Sequence, residues 1–387
     1  MTNNESNILL NLYISVFITS IFVGFILFLI PVFAQQLGAS YIEMGFVGAS
    51  RSIPFIILAV FVGSLTNKFN RANFYTITLL INALPSALLM FTTEVYQLII
   101  LQVFQGICFA LIFPISDVLV ADLATSEGRV KAMGRYSVSI QSGNLIGALI
   151  GGIIAQVAGF RLLWFISSTL MVISAIFSYA VISRGYIPHK KVTGKKVKIR
   201  ELPIRKVLPI YLTILPYGMI LGVLFSIFPG YQANLGFTPS EIGLVLALMA
   251  TARIMTSINI ERTMVFGVNK AIGGSGLMLA ASMIFISYQR EIIGISFGSF
   301  MIGLSIAIIL PVSLAAIAQH IAKEDVGIGV GILSTTMAFG LMTGPIIGGF
   351  VSELWTPSSV YLVFGFMALI MIPLGLLWKK YELETNS

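Results

Sequence analysis

Twelve stretches of this chain are long, apolar and almost free of charge, and that feature limits the possible folds more than any other. A helix needs about twenty predominantly apolar residues to cross roughly 30 Å of hydrocarbon. The runs fall near 8–33, 41–65, 74–92, 95–118, 136–157, 162–183, 207–231, 242–260, 271–288, 292–316, 327–351 and 360–378. They are continuous rather than alternating at period two, so they read as helices and not as barrel strands. Glu5 and no Lys or Arg precedes the first run, which therefore reads as a retained span and not a cleaved signal. The chain is expected to be an all-α membrane protein with twelve transmembrane helices. Composition agrees: 57% of the 387 residues are hydrophobic and 10% charged, too few charges to cover a soluble surface of that size. One cysteine, Cys108, and two histidines, His189 and His320, exclude a disulfide framework and a multi-cysteine or histidine-rich metal centre, so no cofactor or metal is expected.

The connections differ in charge. Lys68 and Arg71, then Arg129, Lys131 and Arg135, the run 184–206, Arg262 and Lys270, Lys323, and Lys379 with Lys380 all fall on one side. The opposite side holds only Arg161 and Arg290. By the positive-inside rule both termini are cytoplasmic, in a multi-pass protein of the cell membrane. The net charge of +8 is located by the same count. Segment 184–206 holds nine Lys or Arg and one Glu, so the remainder of the chain is balanced and no nucleic-acid partner is implied. That basic segment is free to meet anionic lipid head groups. It also divides the chain into an N-terminal six-helix bundle, 1–183, and a C-terminal one, 207–387.

The two halves repeat. A shift of 197 places Gly106, Pro114, Ser116, Ala121, Glu127 and Gly134 on Gly303, Pro311, Ser313, Ala318, Glu324 and Gly331. It also superposes Gly143, Gly147, Gly151 and Gly152 on Gly340, Gly344, Gly348 and Gly349. A shift of 198 matches Pro31, Leu37, Gly38, Glu43 and Gly45 with Pro229, Leu235, Gly236, Glu241 and Gly243. Halves in the same orientation imply a pseudo-twofold axis along the membrane normal and a binding site at the midplane.

Gly340-Leu-Met-Thr-Gly344-Pro345-Ile-Ile-Gly348-Gly349 is similar to a Gly-x-x-x-Gly-Pro-x-x-Gly-Gly motif. The fifth span keeps the four glycines, with Ala148 in the proline position. Glycines at this spacing clear one helix face for close packing. Gly63-Ser-Leu65-Thr-Asn67-Lys68-Phe-Asn70-Arg71 resembles a Gly-x-Leu-x-Asp-Arg-x-Gly-Arg loop. Gln102-Val-Phe-Gln105-Gly106 resembles Arg-x-x-Gln-Gly, with Gln102 in the place of the arginine. On these residues the chain resembles the major facilitator superfamily, and within it the drug:proton antiporter-like branch. The resemblance implies two pseudo-symmetric six-helix bundles, the major facilitator fold. It also implies that Asp122 is the acidic partner of Arg71, the two forming with Gly63 and Lys68 a conformational latch.

Charges at membrane depth are costly, so the survivors are functional candidates. Arg51 lies about 15 Å along the second span and Arg253 about 18 Å along the eighth, both near the midplane. If they face a cavity, the two guanidinium groups favour an anionic or carboxylate-bearing substrate; the alternative is that they bond helix carbonyls. Gln102 and Gln105 share a helix face with Gly106, and Tyr217 stands between Pro216 and Gly218. These five are the candidate substrate-binding residues. Asp117 is the deepest carboxylate and the candidate proton-coupling group. A channel would need a continuous polar pore and an enzyme a cluster of reactive groups; neither is present in the sequence. The expected function is secondary transport of a small organic or amphiphilic solute by alternating access, in the direction of efflux or antiport, with protons or a counter-substrate as partner. The alternatives are uptake or exchange of an organic anion bound by Arg51 and Arg253, and a non-transporting membrane sensor. A monomer in the lipid bilayer is expected.

Overall fold

The computed structural model describes residues 3–68, 70–124, 129–185, 204–260, 262, 267–321 and 326–386. No strand occurs among them. The helices are α1 (Asn3–Gln36), α2 (Tyr41–Lys68), α3 (Arg71–Leu88), α4 (Val95–Leu123), α5 (Arg129–Phe177), α6 (Ile204–Ser226), α7 (Phe228–Asn234), α8 (Pro239–Ile258), α9 (Val268–Tyr288), α10 (Ile292–His320), α11 (Val326–Leu354), α12 (Ser359–Ala368) and α13 (Met371–Asn386).

Eleven of the resulting segments are long and apolar enough to span a bilayer, but one of them, Ala132–Ser183, has 52 residues. At 1.5 Å per residue that is about 78 Å, more than twice the hydrocarbon thickness. It is a hairpin. Within α5 the backbone leaves the helix at Gly159, with φ 81° and ψ 165°, a conformation that only glycine adopts without strain. The contacts of α1 prove the reversal. At one end of α1, Tyr13 donates to the carbonyl of Ala132 at 3.0 Å and Ser15 meets Ser174 at 3.2 Å. At the other end, Phe33 stacks on Phe160 with ring centroids 5.1 Å apart. The two ends of α5 therefore lie together and Gly159 lies at the turn, which restores the twelve spans.

The starts of α2 and α8 explain part of the repeat. Gly38 and Gly236 have φ of 84° and 90° and end the preceding helices. Two residues on, Ser40 and Thr238 open capping boxes. The Ser40 amide donates to Glu43 at 2.8 Å and the Glu43 amide to the Ser40 hydroxyl at 3.2 Å. The Thr238 amide donates to Glu241 at 2.8 Å, and the Glu241 amide returns to the Thr238 hydroxyl at 3.4 Å. The matched Gly-x-x-x-x-x-x-Gly segments with their Glu are thus two copies of one helix-start device. At α3 the cap is Asn70, whose side-chain oxygen accepts from the Ala72 and Asn73 amides at 3.0 and 3.2 Å.

The chain forms two compact units. One comprises Met1–Ala39, Ser50–Thr193 and Gly236–Leu244; the other comprises Ser40–Ala49, Gly194–Leu235 and Val245–Ser387. The first nine residues of α2 and of the segment before Val245 thus belong to the unit opposite the one their sequence position suggests.

In the first unit, α1 packs along both arms of α5. A Cβ on Gly143 would meet Ser20 and the Phe17 carbonyl, and one on Gly147 would meet the Ile21 carbonyl. Ala148 and Gly152 receive the backbone of Gly243 and Pro239. In the second unit α6 packs on α11 the same way. A Cβ on Gly340 would lie 2.6 Å from the Leu215 carbonyl, one on Gly344 would overlap Met219, and Gly349 faces the Tyr41 carbonyl at 2.6 Å. Gly151 and Gly348 instead face side chains, Phe25 and Leu29 in one unit and Val223 in the other. Backbones this close leave no room for any side chain, the expected use of the Gly-x-x-x-Gly spacing.

Candidate functional site

Arg51 sits on α2 where Gly106 of α4 lies against its own backbone carbonyl, so the helices touch at that turn. The side chain is half-buried and makes no hydrogen bond or ion pair with any described residue. Beside the contact, α4 buries Gln102 and Gln105 almost completely, at 1% and 0% exposure. Both polar atoms of the Gln105 amide and the Gln102 Nε2 have no hydrogen-bond partner among the described residues. Buried amides with no partner cost on the order of 1–3 kcal/mol each, so these positions are held for something other than packing.

The second unit is built alike but not identically. Gly303 of α10 takes the part of Gly106, and it meets the carbonyl of Met249 on α8. Met249, not Arg253, is the structural counterpart of Arg51; Arg253 lies one turn further along. Its guanidinium also makes no hydrogen bond or ion pair with a described residue, and it acts electrostatically on the hydroxyl of Tyr217. That hydroxyl is already committed, donating to the Ile306 carbonyl at 3.2 Å, and Tyr217 is 2% exposed.

At the start of α3, Arg71 donates through Nη1 to Asp122 at 2.5 Å, with both side chains mostly covered. Asn70, directly before it, caps α3 and so sets where Arg71 leaves the helix start. Gly63 and Lys68 belong to α2, but their surroundings lie outside the described residues.

Asp117 is half-buried on α4, two turns before the helix ends. The hydroxyl of Tyr136, on α5, lies near its carboxylate. The same hydroxyl is 2.8 Å from that of Ser116 and 3.5 Å from the Phe113 carbonyl. Elsewhere in the unit, Tyr75 of α3 is 3.3 Å from Ser15 of α1, which leads through Ser174 to Thr19 at 3.0 Å. The sequence reading did not reach Tyr136 or this hydroxyl chain. The signal was there in Ser15 with Thr19 and Ser174 with Ser178, pairs at helical spacing inside apolar runs. It also missed Glu353, which accepts the Tyr41 amide at 3.1 Å and so caps α2 from α11.

Two pseudo-repeated helical units with closely packed glycine faces, and arginines and buried amides inside the spans that have no partner among the described residues, define a polytopic membrane protein with polar groups left open at depth. The profile of the Major Facilitator Superfamily matches residues 12–264 and 210–387, and the chain belongs to that family. It is 26% identical to Multidrug resistance protein 2 of Bacillus subtilis (strain 168), covering 98% of this chain and 96% of that protein. It is 22% identical to Quinolone resistance protein NorA of Staphylococcus aureus, covering 97% of each. In structure it is similar to the nucleoside transporter NupG, with a TM-score of 0.79, 13% identity and coverage of 97% of this chain and 100% of that one. A bacterial homolog of the human lysosomal transporter Spinster, inward-facing and unoccupied, gives 0.75 at 14% identity, covering 98% and 96%. At those identities the structural likeness establishes the fold. The chain is therefore a multi-pass secondary transporter and not an enzyme.

Proposed function

We propose that this transporter exports small organic or amphiphilic compounds in exchange for protons, as a monomer with both termini in the cytoplasm. The observation that carries this reading is the end-to-end similarity to two drug-resistance transporters, over 96–98% of each chain. Glycine faces on α5 and α11 and the Arg71–Asp122 ion pair support it. The first provide rigid helix pairs, and the second is a latch at the basic end that forms in one conformation and breaks in the other, with Lys68 and Gly63 completing the turn. The halves 1–183 and 207–387, tied by the basic segment 184–206, are the moving bodies of an alternating-access cycle. Gln102, Gln105, Arg51, Arg253 and Tyr217 are the proposed substrate-binding residues, with Tyr217 acting through its ring because its hydroxyl is engaged.

A second reading, uptake or exchange of an organic anion, is favoured by one observation. Each unit carries a guanidinium inside the membrane with no anionic partner among the described residues. A half-buried arginine of that kind is a ready bidentate ligand for a carboxylate.

The experiment is flux in vesicles containing purified protein, under an imposed pH gradient, with a cationic phenanthridinium dye, a fluorescent quinolone and the anionic dye carboxyfluorescein. The efflux reading expects gradient-driven movement of the first two. Movement of carboxyfluorescein alone, lost at least tenfold in Arg51→Ala with Arg253→Ala, establishes the anion reading in its place. No gradient-driven flux of any probe contradicts both.

A further inference from the structure

The α9–α10 hairpin carries a groove of about 320 Å³. Its rim is made of large side chains, Met278 and Phe285 from α9 with Phe297 and Met301 from α10. Its floor is made of small ones, Ala281, Ser282 and Gly298. A Cβ on Gly298 would lie 2.5 Å from the Ile286 side chain, so this glycine brings the two helices together at the floor. Phe285 and Phe297 meet edge to face across the hairpin, with ring centroids 5.9 Å apart.

The medium against this face is the bilayer. Toward its own unit, α9 turns Gly276 onto Met371 of α13, and Ala280 and Ile284 onto Gly365 of α12. The stripe it leaves exposed is Leu277, Ala281, Phe285 and Tyr288, and Ile293 and Phe297 continue it onto α10. An exposed apolar stripe along a spanning helix meets lipid. Phe285 lies three residues from the end of α9 and Met278 ten. At 1.5 Å per residue the groove therefore runs from about 5 Å to about 15 Å below the turn. That is one leaflet, half of a hydrocarbon layer roughly 30 Å thick.

The lining says what fits. Ser282 supplies its one hydroxyl, and that hydroxyl already donates to the Met278 carbonyl at 2.7 Å. A polar or charged solute needs a few free polar groups to orient it, and the lining offers no free hydroxyl, amide or charge. The occupant it suits is apolar along its whole length, and the unbranched thioethers of Met278 and Met301 can follow a bent chain.

We propose that the groove holds the acyl chain of a phospholipid, drawn from the leaflet on the side of the α9–α10 turn and retained there while the surrounding lipid exchanges. No hydrophobic gain holds the chain, because the bilayer is as apolar as the groove. Dispersion contact does so: a chain in the groove touches protein on both sides and below, whereas a chain on a flat helix face touches it on one side only. The site is independent of the direction of transport and of the coupling ion.

The test uses a phospholipid with a photoreactive diazirine midway along one acyl chain. Purified protein is equilibrated with this lipid, diluted into vesicles of unlabelled phospholipid and irradiated, and the cross-linked peptides are mapped by mass spectrometry. Ile77, Leu80, Ile81 and Leu84 form an exposed apolar stripe on α3 and report the exchanging lipid. The ratio of labelling in 278–301 to labelling of α3 is expected to rise roughly fivefold on dilution, because the groove keeps its chain. Ala281→Phe places a ring in the groove and is expected to remove that rise while leaving α3 labelling unchanged. Phe285→Ala with Phe297→Ala takes the rim away and should remove it too, and melting in detergent checks that each variant is folded. A ratio that dilution does not change in the wild type shows exchanging lipid only and overturns the proposal. A rise that survives both folded variants overturns the groove as its source. Loss of the retained label on adding the fluorescent quinolone or the phenanthridinium dye overturns lipid as the occupant and makes the groove a solute site.

Discussion

Arg71, Gly344 and Arg253 show what single residues contribute and how far a sequence reveals it. The Arg71–Asp122 pair was legible because both residues lie in short motifs at helix ends. Its worth is modest, since partly exposed ion pairs contribute up to about 1 kcal/mol. Arg71→Ala is expected to change the balance of conformations by roughly fivefold and slow transport to match. Exchanging the two residues, Arg71→Asp with Asp122→Arg, should recover most of the rate. Full activity of the single charge reversal Arg71→Glu would show that the pair latches nothing. Gly344 is less tolerant. A Cβ there overlaps the Met219 backbone, and backbone cannot rotate away as a side chain can. Gly344→Ala should cost about 1–3 kcal/mol of stability, read as a lower melting temperature in detergent. Arg253 shows two readings of one sequence diverging. Counting along the spans placed it beside Arg51 in depth, whereas the shift of 198 that matches Gly45 with Gly243 puts Met249 opposite Arg51, the register that the contact of Gly303 with Met249 shows.

Among the elements, the α5 hairpin depends on one residue. Gly159 has no neighbour within 4 Å of a built Cβ, so Gly159→Ala meets no clash and tests backbone strain alone. The expected cost is about 1–3 kcal/mol. Gly134→Ala, also with open space but within the helix and exposed, is the contrasting case and should be neutral or slightly stabilising. Equal melting temperatures for the two variants would argue against a strained turn at Gly159. Span number and glycine faces were legible because each is written in consecutive residues with a fixed period. The hydroxyl chain through Tyr75, Ser15, Ser174 and Thr19 was not. It joins three spans, and its members are individually ordinary residues for a membrane helix. The α2 cap by Glu353 was hidden for the same reason, with more than three hundred residues between partners.

For the whole molecule, the repeat provides two similar units and the differences between them provide function. Asp117 with Tyr136 and the buried Gln102 and Gln105 belong to the first unit, while Arg253 beside Tyr217 and the proline-bearing glycine motif belong to the second. Exchange of a solute for protons is the claim on which the account turns. The most direct test records interior pH in vesicles that hold the purified protein and a trapped pH dye. The vesicles are acid inside, and the fluorescent quinolone is then added outside. The account predicts that quinolone enters as protons leave, so the interior becomes more alkaline, and that Asp117→Asn abolishes the change. Quinolone accumulation with no movement of interior pH would contradict it.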